Sequence, residues 1–95
     1  MLIRVTTGRF DPQREADLLR WGEEQFLPAL RQLPGFQGYH GGLDREAGRI
    51  IAVSLWETRE QADALPERAS ATIGQLADLG VQMEAHQTFE ETLSS

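Results

Sequence analysis

The chain has no cysteine. That excludes a disulfide staple, a thiolate nucleophile and any cysteine-ligated metal. Histidine is scarce as well: His40 and His86 are the only two. No H-x-x-x-H pair or comparable carboxylate cluster accompanies them, so no built-in metal site is expected. Positive charge is in deficit, with 9 Lys+Arg against 15 Asp+Glu and a formal net charge of -6. A phosphate backbone calls for the opposite sign, which argues against nucleic-acid binding, and there is no basic face for an anionic membrane. No apolar run approaches the roughly 18–20 residues of a membrane-spanning helix. The first residues, Met1-Leu2-Ile3-Arg4-Val5, enter a strand pattern without the basic and apolar regions of a signal peptide, so a cytoplasmic location is expected. Three catalytic signatures are also missing. There is no G-x-x-x-x-G-K-[ST] loop and no G-x-S-x-G elbow, and the glycines between Gly35 and Gly42 do not open a helix as a dinucleotide fingerprint must.

What is present is one short domain spanning residues 1–95. A chain this small buries only about 60–65% of its unfolded surface, so assembly with another copy is the expected source of further apolar burial. Leu2 to Arg9, rich in Ile, Val and Thr, reads as a strand with Ile3, Val5 and Thr7 on one face. Leu2, Arg4 and Thr6 lie on the other, a mixed surface suited to a wet cavity. Asp11-Pro12 starts a helix whose apolar positions are Leu19, Phe26, Leu30 and Leu33. Pro28 should kink or divide it, and Gly35 should end it. Trp21, in an otherwise polar stretch, reads as packing. Phe36 to Leu43 is a glycine-weakened strand, read either as a bulged edge or as room for a ligand or partner chain. Asp44 to Gly48 reverses the chain, and Ile50 to Glu57 is the most strongly patterned strand. Ile51, Val53 and Leu55 share its apolar face, and Ala52, Ser54 and Trp56 the other, as in a cavity wall with one aromatic platform. Thr58 and Gln61 fit a capping box. The helix that follows is interrupted at Pro66 and carries Ala69, Ile73, Leu76 and Leu79 on one side until Gly80. In the last strand, from Val81 to about Phe89, Val81, Met83, Ala85, Gln87 and Phe89 alternate with Gln82, Glu84, His86 and Thr88.

The order β-α-β-β-α-β is the ferredoxin-like α+β arrangement, an antiparallel four-stranded sheet with both helices on one face. The face bearing Trp56 and Leu2 is expected to be the open one, covered by a second copy to make a homodimer.

Three segments carry a family likeness: L-P-G-F-x-G-Y from Leu33, L-D-R-E-A-G-R from Leu43, and V-S-L-W-E-T-x-E-x-A from Val53. They resemble the antibiotic biosynthesis monooxygenase (ABM) domain of the dimeric α/β-barrel superfamily. The likeness extends over nearly the whole chain and is most specific between Leu33 and Ala64. It implies a homodimer in which two sheets close a barrel, each protomer holding a pocket. It does not imply one activity, since members include cofactor-free monooxygenases of polyketide quinols, haem-degrading enzymes and isomerases. Haem-degrading members carry a first-strand Asn, a third-strand Trp and a haem-ligating His on the second helix. This chain keeps Trp56, has Thr6 and Thr7 in place of the Asn, and has no His between Thr58 and Leu79, which disfavours haem degradation.

Cofactor-free oxygenation asks for an apolar aromatic slot, a base and a donor for the developing anion. No cofactor is then required, because a phenol or quinol supplies the electrons once deprotonated. The candidates are Trp56 as stacking wall, His86 as base or proton shuttle, Arg4 as oxyanion holder, and either Tyr39 or His40. The last two point to opposite faces, and hairpin register decides between them: pairing Leu43 with Ile50 sets Tyr39 against Ser54, and a shift by one brings in His40. Each candidate also has a plain structural reading: core or interface packing for Trp56, a surface or hydrogen-bonded interface histidine for His86, and for Arg4 an ion pair with Glu84 or another carboxylate across adjacent strands. The function expected is therefore an ABM-like cofactor-independent monooxygenase of an aromatic or quinol-like molecule. The alternative is a non-catalytic dimeric small-molecule-binding or stress-response module.

Overall fold

In the computed structural model, which covers residues 1–95, the Ile-, Val- and Thr-rich start of the chain forms β1 (Leu2–Phe10). β1 sits inside the sheet and pairs antiparallel with both β3 (Arg49–Trp56) and β4 (Val81–Glu90). The remaining strand, β2 (Phe36–Asp44), pairs with β3, giving the order β2-β3-β1-β4. This is the expected α+β ferredoxin-like topology, with first and last strands adjacent.

Asp11 accepts a hydrogen bond from the Gln13 amide at 2.9 Å and, with Pro12, starts a 3-10 turn that leads into α1 (Glu15–Trp21). A π-helical turn, Gly22–Phe26, joins α1 to α2 (Leu27–Arg31). Pro28 has no amide to donate and would crowd the carbonyl four residues back. The chain widens into the π turn just before it, with the Leu27 amide reaching the Gly22 carbonyl. A π turn takes up one extra residue, so the buried stripe N-terminal to it moves by one position. Leu18 is therefore buried (6% exposed) and the expected Leu19 is not (49%).

The second helical region starts at α3 (Arg59–Asp63) with the capping box in place. Thr58 Oγ1 accepts from the Gln61 amide, and Gln61 Oε1 from the Thr58 amide, each at 3.2 Å. Gly35, with φ of 79°, sits against the Gln61 side chain, where a β-carbon would clash. Ala64 and Ala69 break the helix into α4 (Leu65–Arg68), which has Pro66 in its first turn, and α5 (Ser70–Ile73). Gly80 ends the region in the left-handed conformation that the C-cap requires.

Two expectations about faces are corrected. Trp56 is not on an open face: at 1% exposure it lies against Phe26, Leu30, Ala62, Leu65 and Ala69, so the helices cover the Trp56 face. The open face is the opposite one. It carries Ile3, Val5, Ile51, Val53, Leu55 and Phe89 in registered rows, with Ile51 and Phe89 still 41% and 45% exposed. The more apolar face was expected to take the helices. Instead the helices take the mixed face, because its large residues Trp56, Phe10 and Leu2 supply the packing volume. The second correction concerns β4. Its alternation breaks between the Ala85 and Met83 pairings, where Glu84 is the extra residue of a bulge opposite Thr7 and Gly8. Beyond the bulge the face is reversed, so Val81 and Met83 share the helix side with His86 and Thr88. Gly8 makes room for this, since a β-carbon there would collide with the Gln82 carbonyl.

No helix is long and apolar enough to cross a membrane.

Candidate functional site

The helix-facing surface of the sheet consists of registered rows. Phe36, Trp56, Leu2 and Glu90 form one row. Tyr39, Ser54, Arg4 and Thr88 form the next, followed by Gly41, Ala52, Thr6 and His86. The first row is bulky and filled. The third consists of Gly, Ala and Thr, whose short side chains leave space beneath the helices, and an edge histidine. The core is accordingly split. One cluster is built on Phe26, Leu30, Trp56, Ala62, Leu65 and Ala69, and another on Phe10, Leu18 and Val81. Members of both clusters line a cavity of about 580 Å³ between the sheet and the helices. Ligand pockets typically measure about 300–1,000 Å³ and are mostly apolar; 14 of the 24 residues lining this one are hydrophobic. The π turn edges it with Gly22, Glu23 and Phe26, and Trp21 adjoins them.

Arg4 is the deep polar group. It is 6% exposed, lines the cavity, and its Nε has no hydrogen-bond partner in the protein. The cross-strand pairing with Glu84 expected from sequence does not form. Glu84 sits at the bulge, on the other face, and binds Arg49 at 2.6 Å and Arg9 at 3.2 Å. Burial lowers the Arg4 pKa from its ordinary value, and the negative charge of Asp63 partly opposes this. Asp63 itself accepts a hydrogen bond from Thr88 Oγ1 at 3.1 Å.

Tyr39 lies opposite Ser54 and lines the cavity, which is the register that pairs Leu43 with Ile50. Its ring meets Phe26 edge-on, with centroids 5.2 Å apart. Gly41 leaves space beside it, since a β-carbon there would approach the ring to 3.2 Å. Burial pushes the phenol pKa up, so Tyr39 is a neutral hydrogen-bond donor or acceptor at ordinary pH. His40 faces the other way, opposite Val53 on the open face, and does not line the cavity; the alternation of the strand removes it from the site. His86 lines the mouth as an exposed side chain on the edge strand β4. Trp56 is not among the lining residues. It packs edge-on to Phe36 at 5.6 Å, and its Nε1 donates to Ser54 Oγ at 2.8 Å, so it holds the cavity wall from behind.

Arg4, Tyr39 and His86 are thus brought to one cavity, Trp56 stands behind its wall, and His40 is excluded. From sequence Trp21 reads only as packing. It does stack on Phe26, with centroids 5.1 Å apart and 16° between planes, but it also lines the cavity with an unpartnered Nε1. The one sequence signal for this was an aromatic in a polar helical stretch. No group of three or more His, Cys, Asp or Glu side chains is arranged to hold a metal ion.

No family model matches the chain. Two uncharacterized Mycobacterium tuberculosis proteins, MT2635 (strain CDC 1551 / Oshkosh) and Rv2558 (strain H37Rv), are each 43% identical over 44 residues, 46% of this chain. The matched stretch spans only 19% of the length of those proteins. Solved structures agree over the whole chain. A Deinococcus radiodurans protein assigned to the antibiotic biosynthesis monooxygenases superposes with a TM-score of 0.76 at 18% identity, covering 100% of this chain and 96% of that one. The monooxygenase ActVA-Orf6 of Streptomyces coelicolor, solved with the ligand Nanaomycin D, gives 0.71 at 14% identity over 99% and 91%. SnoaB from Streptomyces nogalater, a cofactor-independent oxygenase, gives 0.62 at 17% identity over 98% and 94%. The chain has the fold of the antibiotic biosynthesis monooxygenases.

Proposed function

We propose that this chain takes a phenol or quinol into the cavity between sheet and helices and oxidises it with dioxygen, without a cofactor. The observation that carries the reading is an apolar cavity of about 580 Å³ with a cation, Arg4, in its wall and a histidine, His86, at its mouth. The fold shared with SnoaB and ActVA-Orf6 supports it. The reaction balances as phenol plus dioxygen giving quinone plus water. The phenol proton goes to His86 and the phenolate oxygen rests against Arg4. The phenolate passes one electron to dioxygen, and the resulting pair joins at a ring carbon as a peroxide anion, which takes the proton held by His86 to become the hydroperoxide. Neutral His86 then takes the ring C–H proton as the O–O bond breaks; one oxygen stays as the new carbonyl, and the released hydroxide takes that proton back from His86 and leaves as water. Tyr39 donates a hydrogen bond to the developing oxyanion. Trp56 positions Ser54 and does not stack on the substrate.

The reading includes a homodimer formed through the open face of Ile3, Val53, Leu55 and Phe89. An apolar surface of this kind calls for a partner.

A second reading, a non-catalytic binding module, is favoured by one observation: the deepest ionisable group is an arginine, which cannot act as a base, while the histidine is exposed. Oxygen uptake with anthrone and 1-naphthol separates the two. The oxygenase reading expects stoichiometric uptake, one labelled oxygen atom in the quinone, and a loss of about 10²–10⁴-fold in His86→Ala. Bound ligand without uptake leaves the binding module. Uptake unchanged in both His86→Ala and Arg4→Met removes the proposed chemistry.

A further inference from the structure

Only two buried side-chain polar atoms in the chain lack a hydrogen-bond partner, Arg4 Nε and Trp21 Nε1. Both belong to residues lining the same cavity, one on its sheet wall and one on its helix wall. Both are donors that cannot accept. Buried donors are nearly always satisfied, and leaving one without a partner costs free energy. A guanidinium is the more demanding case, because it also carries a charge.

The charges around the cavity sharpen the point. Arg45 lines it, but Glu15 neutralises it through two hydrogen bonds of 2.6 and 2.9 Å. Glu23 and His86 are exposed lining residues. Asp63 is the carboxylate whose charge bears on Arg4, yet it makes no ion pair with it and does not line the cavity. The buried part of the cavity therefore holds one positive charge without an ion-pair partner, two unpaired donors and an apolar remainder.

We infer that the cavity is a receptor for a monoanion: a mostly apolar, ring-sized molecule whose single ionised oxygen is taken by Arg4, with a second acceptor within reach of Trp21. The ionised oxygen belongs to a carboxylate or to an enolate or phenolate, and the two share the chemistry of a planar acceptor against a guanidinium. Neutral molecules of the same shape leave Arg4 unpaired and bind more weakly, and a phenol meets the requirement once its proton has passed to His86. This specifies the ligand of the proposed function and rests on the cavity being the ligand site. It does not rest on any step with oxygen.

The test is calorimetric titration of the 95-residue chain in its native assembly, near neutral pH and without oxygen. The probes are 2-naphthoate, the enolate 2-hydroxy-1,4-naphthoquinone and the neutral isostere 2-naphthamide. Wild-type protein is expected to bind at least one anion about 10- to 100-fold more tightly than the amide, the value of a charge-assisted hydrogen bond. Which anion binds identifies the carboxylate or the enolate as the source of the charge. In Arg4→Met the preference disappears while the amide binds as before. Arg4→Lys keeps charge without the planar fork and retains part of the preference. Trp21→Phe weakens all three ligands alike. Equal binding of amide and anions by wild-type protein overturns the inference, as does an undiminished preference in Arg4→Met or failure of all three probes to bind. The wild-type comparison stands even if Arg4→Met does not fold. Selective anion binding with no oxygen uptake refutes the oxygenase and leaves the receptor. Uptake with no anion preference does the reverse.

Discussion

Trp56 and Ser54, two residues apart on β3, are joined by a hydrogen bond of 2.8 Å from the indole Nε1 to the serine Oγ, beneath the cavity wall. Both side chains are buried. Ser54→Ala strands the indole N–H in an apolar surround, and this should cost about 1–3 kcal/mol in urea unfolding. Trp56→Phe removes the donor and part of the core volume together. The double variant should then lose less than the sum of the two, because the penalty for a stranded donor is absent once the donor is gone. Strict additivity would mean that the bond does not hold the wall.

The open sheet face gives the second prediction. Val53 stands in the middle of it, with Val5 on one side and His40 on the other. In light scattering the native protein is expected at twice the chain mass. Val53→Lys sets a charge on the face through which the proposed dimer forms and should give a monomer with its secondary structure retained. A wild-type monomer at micromolar concentration would remove the dimer from the proposed function.

Strand boundaries and topology were readable because they rest on local chemistry. The Asp11-Pro12 start, the Thr58/Gln61 box and the Gly80 stop each act through neighbouring backbone groups, and each formed. The hairpin register was narrowed to two choices, and the observed Leu43–Ile50 pairing is the one that brings Tyr39 to the cavity. What escaped was phase. The π turn before Pro28 and the bulge at Glu84 each add one residue to a periodic element. Leu18 thereby replaces Leu19 in the core, and Val81 joins the face of His86. Neither insertion changes the composition of its element, so a periodicity count does not register it. The covered face is hidden from the sequence pattern for another reason. Hydrophobicity ranks Ile51, Val53 and Leu55 first, but the helices follow the side with large residues at its ends and small ones between. Strand alternation groups Arg4 with Leu2 and Thr6, but its lack of a partner depends on Glu84 being turned away by the bulge.

Glu84 supplies a pH prediction. The Arg49 hydrogen bond, together with the charges of Arg9 and Arg49, holds its pKa below the usual 4.5 despite some desolvation in the opposite sense. A carboxylate depressed on folding adds stability that is fully present above its unfolded pKa and is lost as pH falls through the folded value. Glu84→Gln should therefore shrink the fall in Tm between about pH 6 and pH 3 relative to wild type. Because the group is exposed, the change is expected to be small and to fade in high salt. An unchanged fall in Glu84→Gln would show that the two arginines exert no net hold on it.

Ala52 tests whether the cavity is used at all. It sits in the row of short side chains, between Gly41 and Thr6, and lines the cavity from the sheet. An overpacked core typically loses about 1–3 kcal/mol when methylenes are added, but a phenylalanine here would extend into space bounded by Leu18, Phe26 and Leu65 rather than into packed atoms. Ala52→Phe should therefore leave the Tm within a few degrees of wild type or raise it, and the dimer should persist, since the open face is untouched. Uptake of naphthoate or naphthol should disappear, because the new ring occupies the volume a ligand needs beside Arg4. A strongly lowered Tm would show that the space closes in solution. Ligand binding undiminished by the filled cavity would move the site elsewhere on the molecule, and the roles given to Arg4, Tyr39 and His86 would fall with it.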